Sequence, residues 1–231
     1  MPNRTDKIIV ISDTHLTNRF SNAKYKYLLK VINQADQLII NGDLWDSWYT
    51  DFDGFINSKW NKLFELMLKK NAIYVYGNHD PMTKCDKRVK LFSIKAVNSY
   101  ELNINNRSIL FSHGHDILTD KDNFIIKNYG ILLNLCNRYN LKIIFRLLSI
   151  TQYFGFWLLG EKLVYNSRLL KNRNRKLKKA QYQGWLICGD THCAEIDQEY
   201  NFANTGCIFR KTASYIIINN GEIELIQEKI R

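Results

Sequence analysis

The chain has 231 residues, which is enough for one domain with a substantial core and an insertion. A hydrophobic content of 45% with only two prolines excludes a disordered chain, and the net charge of +11 favours anionic partners: phosphate esters, nucleic acid or an anionic membrane surface. The five cysteines are odd in number and form no C-x-x-C pair, so we expect reduced thiols in a cytoplasmic protein. A cleaved signal peptide is not expected, because cleavage would remove or crowd Asp13.

Strands alternate with helices in the first half of the chain. Short β-branched runs predict strands, and apolar residues at helical spacing predict helices. In chain order these are a strand at Lys7–Ser12, a helix at Asn22–Asn33, a strand at Gln37–Asn41, a helix at Phe55–Lys70 and a strand at Ala72–Tyr76. This alternation predicts an α/β sandwich with largely parallel inner strands.

The second half contains a hairpin, a long helical stretch and a return to strands. An Asn-rich turn joins predicted strands at Ser99–Ile104 and Ser108–Ser112. Residues 117–183 are helical in pattern, apolar in the middle and basic at the end. The later strands are predicted at Trp185–Cys188, Tyr200–Ala203, Ala213–Ile218 and Glu222–Gln227. We therefore expect residues 1–116 and 184–231 to form the core and residues 117–183 to form an inserted helical cap.

Five polar segments each follow an apolar strand, at the point where that strand ends. They are Asp13–His15, Gly42–Asp46, Gly77–Asp80, His113–Asp116 and Gly189–His192, and together they contain all five histidines of the chain. Ligands bind α/β sheets at the carboxyl ends of strands, so we expect these segments to meet. Carboxylate, imidazole and amide oxygen suit divalent Mn, Fe, Zn or Mg, and two such ions can clamp a phosphoryl group and activate water.

The motif order D-x-H, G-D-x-x-D, G-N-H-D, H-G-H and G-x-x-H resembles the calcineurin-like metallophosphoesterases from about residue 7 to 207, apart from the insertion. The resemblance implies a four-layer α/β/β/α metallophosphoesterase sandwich with an inserted helical cap. It also implies roles for the site residues. The first metal ion would be held by Asp13, His15 and His192, the second by Asn78, His113 and Asp190, with Asp43 as the bridge. His79 would act near the leaving group as a general acid or transition-state donor, oriented by Asp80.

The last motif departs from the family pattern. The family usually has G-H-x-H, whereas this chain has Gly189-Asp190-Thr191-His192. An anionic oxygen ligand favours harder ions, so we expect two divalent metal ions with manganese favoured over iron, magnesium and zinc. The same departure leaves open a metal-binding scaffold with little turnover. The glycines of these motifs, Gly42, Gly77 and Gly189, are expected to permit tight turns.

The position of the insertion also resembles the UDP-2,3-diacylglucosamine hydrolases of lipid A synthesis, in which a helical cap shelters acyl chains and a pyrophosphate is cleaved. The segments Trp185–Gly189 and Asn204–Gly206 add to this resemblance. It implies a lipid-linked nucleotide or a related amphiphilic phosphoester as substrate. Those enzymes typically carry Arg where this chain has His79, which leaves other lipid pyrophosphates and soluble phosphoesters open.

Several features have two interpretations each. The apolar stretch Ile143–Leu159 either houses acyl chains or packs the cap onto the core; with 17 residues it is short for a membrane span. The basic run Arg168–Lys179 is either a solvated face or a surface for phosphate or the inner face of a membrane. A nuclease is disfavoured, because a cap would obstruct a duplex. The oligomeric state stays open.

Individual side chains near the motifs are equally ambiguous. Asp46 either orients a ligand histidine or is a loop carboxylate, and His115 either touches substrate or bonds the backbone. Trp45 and Trp48 line a pocket or pack. We expect Cys188, Cys193 and Cys207 to be small packing residues.

Overall fold

The first of two β-sheets is mixed, with a parallel half and an antiparallel half, in the computed structural model, which describes residues 7–118, 168–180 and 182–230. Its strands are β1 (Ile8–Ile11), β2 (Gln37–Asn41), β3 (Ile73–Val75), β4 (Lys95–Val97), β10 (Ile208–Phe209), β11 (Thr212–Asn219) and β12 (Glu222–Lys229). They are ordered β10-β11-β1-β2-β3-β4, and β12 also pairs with β11. Strands β1 to β4 run parallel, whereas β11 is antiparallel to β1.

The second sheet contains β5 (Ser99–Ile104), β6 (Arg107–Ser112), β7 (Trp185–Cys188), β8 (Glu195–Asp197) and β9 (Phe202–Asn204). Its order is β5-β6-β7-β9-β8. The central strands β6, β7 and β9 are parallel, and the edge strands β5 and β8 are antiparallel to their neighbours. The carboxyl ends of β6 and β7 therefore point the same way, which brings the loops after them together.

Alternating side chains of the first sheet build two separate cores. Ile9 and Ile11 belong to the cluster that packs beneath the helices of the first half. Ile8 and Val10 belong to a second cluster, together with Phe111 of the second sheet. Since successive side chains of a strand point to opposite faces, this division shows that the first sheet is covered on both sides, as a near-continuous apolar parallel strand requires.

Helices form the two outer layers. They are α1 (Asn22–Asn33), α2 (Phe52–Ile56), α3 (Phe64–Lys69) and α4 (Arg168–Lys178), with 3-10 turns at Lys59–Leu63, Met82–Lys84 and Lys87–Leu91. Helices α1 to α3 pack on the first sheet. Leu177 of α4 packs against Leu186, Cys188 and Phe202 of the second sheet. The layer order is thus helix, sheet, sheet, helix, which confirms the predicted α/β/β/α fold class.

The predicted helix at Phe55–Lys70 is wrong as a single element. The chain instead forms α2, a 3-10 turn and α3. Ser58 is the reason, because its hydroxyl donates to the Phe55 carbonyl at 2.6 Å and accepts from the Trp60 amide at 3.3 Å. Such local bonds compete with continuous helix. The short strands β4, β8 and β10 carry too few residues for a periodic signal and were not predicted.

Most of the predicted cap, including Ile143–Leu159, lies outside the described residues. Within the described ranges, no helix is long and apolar enough to cross a membrane. The basic run Arg168–Lys179 lies almost entirely on α4, and it is not simply a solvated face. Arg173, Asn174 and Leu177 are buried, whereas Lys171 and Arg175 are exposed.

Candidate metal centre

Ligand-type side chains from both sheets meet at the carboxyl ends of β1, β2, β3, β6 and β7. In the first group, the ring nitrogen Nε2 of His15 lies 3.1 Å from Nε2 of His192 and 3.9 Å from Oδ1 of Asp13. Oδ1 of Asp13 is 3.1 Å from Nε2 of His192. Oδ2 of Asp43 lies 3.8 Å from Nε2 of His15. These four atoms could surround one cation.

A second group of ligand atoms adjoins the first. Nε2 of His113 lies 3.0 Å from Oδ1 of Asn78, 3.3 Å from Oδ2 of Asp43 and 4.0 Å from Oδ1 of Asp190. Oδ2 of Asp43 is therefore common to both groups. A single carboxylate oxygen between two sets of donors is the arrangement expected of a bridging ligand.

The buried carboxylates leave one oxygen each for a cation. Oδ2 of Asp13 accepts hydrogen bonds from the Ser12 hydroxyl and the Asp190 amide, while its buried Oδ1 makes no hydrogen bond among the described residues. Oδ1 of Asp43 accepts from the His79 amide at 2.9 Å, and Oδ2 faces His113. A buried carboxylate oxygen without a donor is costly unless a cation completes it, so this donor set fits divalent ions.

Two histidines are oriented by their second ring nitrogen. Nδ1 of His113 lies 2.9 Å from the Asn41 carbonyl, which makes Nδ1 a hydrogen-bond donor and turns Nε2 toward the candidate ligands. Nδ1 of His15 lies 3.2 Å from Oδ2 of Asp46. Both contacts direct Nε2 inward, as metal-binding histidines require.

The backbone at the site is held in left-handed conformations. Positive φ angles occur at Asp13 (50°), His15 (45°), Asp43 (54°), Asp190 (59°) and His192 (57°). Each costs free energy for a residue other than glycine, of order 1–3 kcal/mol, and persists only where the surroundings impose it. Five of the seven candidate ligands have this conformation, which is consistent with loops shaped to hold a functional site.

Glycine is required at two of the motif positions for different reasons. Gly42 has a φ of 87°, and a Cβ there would lie 2.3 Å from Nδ1 of His113, so both the turn and the space require glycine. Gly77 has no positive φ, but a Cβ would lie 2.2 Å from Oδ1 of Asp43. The predicted tight turn therefore applies at Gly42, whereas Gly77 is needed for close approach.

Asp80 does not orient His79, which corrects the predicted contact. Its carboxylate accepts hydrogen bonds from the amides of Asp43 (3.0 Å), Leu44 (2.6 Å) and Gly77 (2.8 Å). Burial and nearby Asp43 raise the pKa of Asp80 to about 6. Asp80 therefore ties the loop after β2 to the loop after β3, and its effect on His79 is indirect.

Asp46 orients two histidines at once. Its Oδ1 lies 3.0 Å from Nδ1 of His79, and its Oδ2 lies 3.2 Å from Nδ1 of His15. Between the two interpretations of Asp46, the structure thus favours the orienting role. Burial alone would raise the pKa of Asp46, but the two imidazoles outweigh it and hold that pKa well below the usual range.

His79 lies at the rim of the centre as a cationic group. Its ring contacts the Trp48 indole with centroids 3.8 Å apart, and its Nε2 is 4.0 Å from Oδ2 of Asp43. Burial lowers the pKa of His79, yet Asp46 and Asp43 more than reverse this and raise it to about 9. An imidazolium beside the shared carboxylate can donate a proton to a departing oxygen.

The structure also shows the surroundings of the tryptophans, His115 and the cysteines near the motifs. Trp45 is fully buried in the core, whereas Trp48 lies against His79. Nε2 of His115 is 2.9 Å from Asp116, and its ring is 5.5 Å from that of His113. The predicted packing residues Cys188, Cys193 and Cys207 are buried free thiols.

Sequence reasoning missed three supports of the site. Arg173 pairs with Asp190, Asn174 accepts from the Thr191 hydroxyl at 2.6 Å, and the buried Lys24 ammonium donates to the Thr14 carbonyl. Arg173 and Asn174 sit in a basic run whose composition indicates solvent or anion contact, so no local signal marks them. Lys24 has only a weak signal, a cation on the apolar face of α1.

Comparisons with known proteins agree with these motifs. The family model for calcineurin-like phosphoesterases matches residues 6–151, more than half of the chain. That match ends before β7, so Asp190 and His192 lie outside it. A curated relative, the UDP-2,3-diacylglucosamine hydrolase of Psychromonas ingrahamii (strain DSM 17664 / CCUG 51855 / 37), is 28% identical over 247 residues, covering 95% of this chain and 96% of the relative.

Two solved structures are also similar to this chain. Yfce, a phosphoesterase from E. coli, aligns with a TM-score of 0.47 and 18% identity, over 97% of this chain and 100% of that one. A novel archaeal phosphodiesterase aligns with a TM-score of 0.46 and 16% identity, over 96% of this chain and 99% of that one.

Proposed function

The chain belongs to the calcineurin-like phosphoesterase family and is a metal-dependent phosphoester hydrolase; on that premise we propose that it cleaves the diphosphate of a lipid-linked nucleotide with water activated between two metal ions. The observation that carries the two-ion centre is the shared Oδ2 of Asp43, 3.8 Å from Nε2 of His15 and 3.3 Å from Nε2 of His113. Manganese is the favoured ion in this proposal.

The ligand sets follow from the two groups of atoms. In the proposal Asp13, His15 and His192 would hold one ion, Asn78, His113 and Asp190 would hold the other, and Asp43 would be a ligand of both. Bound ions of this kind lower the pKa of a water molecule and neutralise phosphoryl oxygens. Oxygen donors supply most of the second set, which suits manganese or magnesium better than zinc.

The protein's own contribution to the proposed reaction is orientation and proton transfer. Asp46 fixes the rings of His15 and His79, and Asp80 fixes the loop that carries Asp43. His79 holds a proton on the side of the centre lined by Trp48 and would deliver it to the leaving phosphate oxygen. Its imidazolium also stabilises negative charge that develops on that oxygen.

The substrate class rests on the relative and on charge. A hydrolase of UDP-2,3-diacylglucosamine that matches 95% of this chain supports an acylated sugar nucleotide or a similar amphiphile as the substrate. The net charge of +11 supports an anionic substrate and reversible contact with an anionic membrane surface. The helical cap over residues 117–183 remains part of this proposal. Its last helix, α4, packs on the second sheet, and its apolar middle would receive the acyl chains.

A pair of substrates tests the proposal. Purified enzyme with Mn²⁺ is assayed on UDP-2,3-diacylglucosamine and on UDP-N-acetylglucosamine, which shares the diphosphate but lacks the two long acyl chains. We expect kcat/KM to be at least about a hundredfold higher for the acylated substrate, because each buried CH₂ contributes about 0.8 kcal/mol. Bis(p-nitrophenyl) phosphate reports the bare hydrolytic activity.

The outcomes separate the alternatives. Equal kcat/KM on both sugar nucleotides, with good turnover of the chromogenic ester, would favour a general phosphodiesterase acting on soluble phosphoesters. Metal binding without turnover of any of the three substrates would favour the scaffold.

A further inference from the structure

One cation of α4 is buried at the metal centre. Arg173 is only 3% exposed, and its guanidinium lies 2.5 Å from Oδ2 of Asp190. An arginine stays protonated in a folded protein, so this is a full positive charge beside a candidate metal ligand. The neighbouring cations of the helix behave differently: Lys171 and Arg175 are exposed.

The carboxylate of Asp190 has two different surroundings. Oδ2 bonds Arg173, whereas Oδ1 lies 4.0 Å from Nε2 of His113 and faces the candidate ligands. Asp13 and Asp43 divide their oxygens in the same way, but their outer oxygens accept hydrogen bonds from a hydroxyl and from backbone amides. Asp190 is thus the carboxylate of these three whose outer oxygen meets a guanidinium.

The position of Arg173 is fixed by its neighbour Asn174. The amide nitrogen of Asn174 donates to the Cys193 carbonyl at 2.8 Å and to Glu195 at 2.9 Å. Its amide oxygen accepts from the Thr191 hydroxyl at 2.6 Å and from Asn204 at 3.2 Å. These bonds attach α4 to the β7 loop that carries Asp190 and His192, and Leu177 anchors the same face in an apolar cluster.

We infer that Arg173 is a resident counter-ion of the metal centre, which neutralises Asp190 in the metal-free protein, fixes Oδ1 toward the centre and limits the affinity for the second ion. The inference rests on the proposed function, because it treats Asp190 as a ligand. The pair Asp190–Arg173 carries no net charge, so the carboxylate-rich centre holds together before the ions bind. Once an ion is present, the same guanidinium opposes its charge at short range.

A double-mutant cycle tests the inference on the full-length protein. The variants are Arg173→Gln, Asp190→His and the double variant, and Arg175→Gln is the matched control on the exposed side of α4. The thermal midpoint is measured in EDTA, and Mn²⁺ binding is measured by calorimetric titration. Both readouts are independent of turnover.

Arg173→Gln should lower the midpoint in EDTA by about 6 °C or more, since removing one partner leaves a buried charge uncompensated. In the Asp190→His background the same change should raise the midpoint, because there it removes a buried cation that has lost its carboxylate. The single variant Arg173→Gln, which retains Asp190, should bind the more weakly held of the two Mn²⁺ ions about tenfold more tightly than the wild type does. The reason is that the positive charge opposing that ion is gone. Arg175→Gln should change none of these values.

The inference is overturned if Arg173→Gln and Arg175→Gln give the same midpoints, or if Arg173→Gln shifts the midpoint in the same direction in both backgrounds. It is also overturned if Mn²⁺ affinity is unchanged. In each of these cases a wild-type protein that binds two ions and hydrolyses phosphoesters keeps the proposed function intact. If the wild-type protein binds no divalent ion, both the inference about Arg173 and the proposed function are wrong.

Discussion

The two sheets position their candidate ligands in different ways. Loops of the first sheet are joined to each other by the main chain: the Asp13 amide donates to Gly42 at 3.1 Å, and the His15 amide donates to Asp43 at 3.0 Å. The β7 loop of the second sheet has one such main-chain bond, from the Gly189 amide to the His113 carbonyl at 3.0 Å, and is in addition attached to side chains of α4, through Arg173 and Asn174. The loop that carries Asp190 and His192 therefore depends on the docking of α4 in a way that the loops with Asp13, His15 and Asp43 do not.

The largest effect is expected at the carboxylate that both halves share. Asp43→Ala should remove both ions and reduce turnover to background, since Oδ2 of Asp43 lies between His15 and His113. Metal content by mass spectrometry and hydrolysis of the chromogenic ester are measured together. Asp53→Ala, which removes an exposed carboxylate, should retain both. Full activity with one ion or none in the wild-type protein would rule out a bridging role.

A smaller effect is expected from the removal of His79, a residue of the first sheet's loops that holds no ion in the proposal. His79→Ala should lower kcat by about 10²–10⁴-fold, the usual contribution of a general acid, while both ions remain bound. Steady-state kinetics and metal content are measured on the same preparation. Unchanged kcat would exclude the proton-donor role, and loss of an ion would instead make His79 a support of the ligands.

The smallest effect concerns the contribution of Lys24, which lies beside the loop with Asp13 and His15, to folding stability. The Lys24 ammonium is buried, donates to the Thr14 carbonyl between Asp13 and His15, and lies 5.4 Å from the Phe209 ring centroid. Burial lowers the pKa of Lys24 from 10.5 to about 7. Between these values the unfolded chain binds more protons than the folded one, so this group makes stability rise with pH.

Lys24→Met removes that dependence. From pH 7 to pH 9 the free energy of unfolding of the wild type should gain about 2 kcal/mol relative to the variant, since one unit of pKa corresponds to about 1.4 kcal/mol. Urea titrations in EDTA at both pH values give the difference. If the free energy of unfolding changes with pH to the same extent in the two proteins, Lys24 is not desolvated in the folded state, and the proposed contribution of its burial to stability is wrong.

Sequence patterns by themselves determined the layers of the fold and predicted which polar segments lie together. Helix α1 and strands β2, β5 and β7 have the predicted bounds. An amphipathic helix leaves a 3.6-residue period in the sequence, a buried parallel strand leaves a short apolar run, and an antiparallel edge strand such as β5 leaves an alternation. The polar segments after β1, β2, β3, β6 and β7 were predicted to meet, and the structure brings them together, because carboxyl ends of parallel strands share one edge of a sheet.

Only the tertiary structure decided which groups support the ligands. Asp80 follows His79 directly in the sequence, yet Asp46 from another loop contacts the His79 ring, and Asp80 bonds backbone amides instead. Arg173 shows the same limit, because a basic run has the composition of a solvated surface whether or not one of its members points inward. Hydrogen bonds between segments distant in the chain depend on direction and distance in space, and neither residue type nor spacing along the chain contains that information.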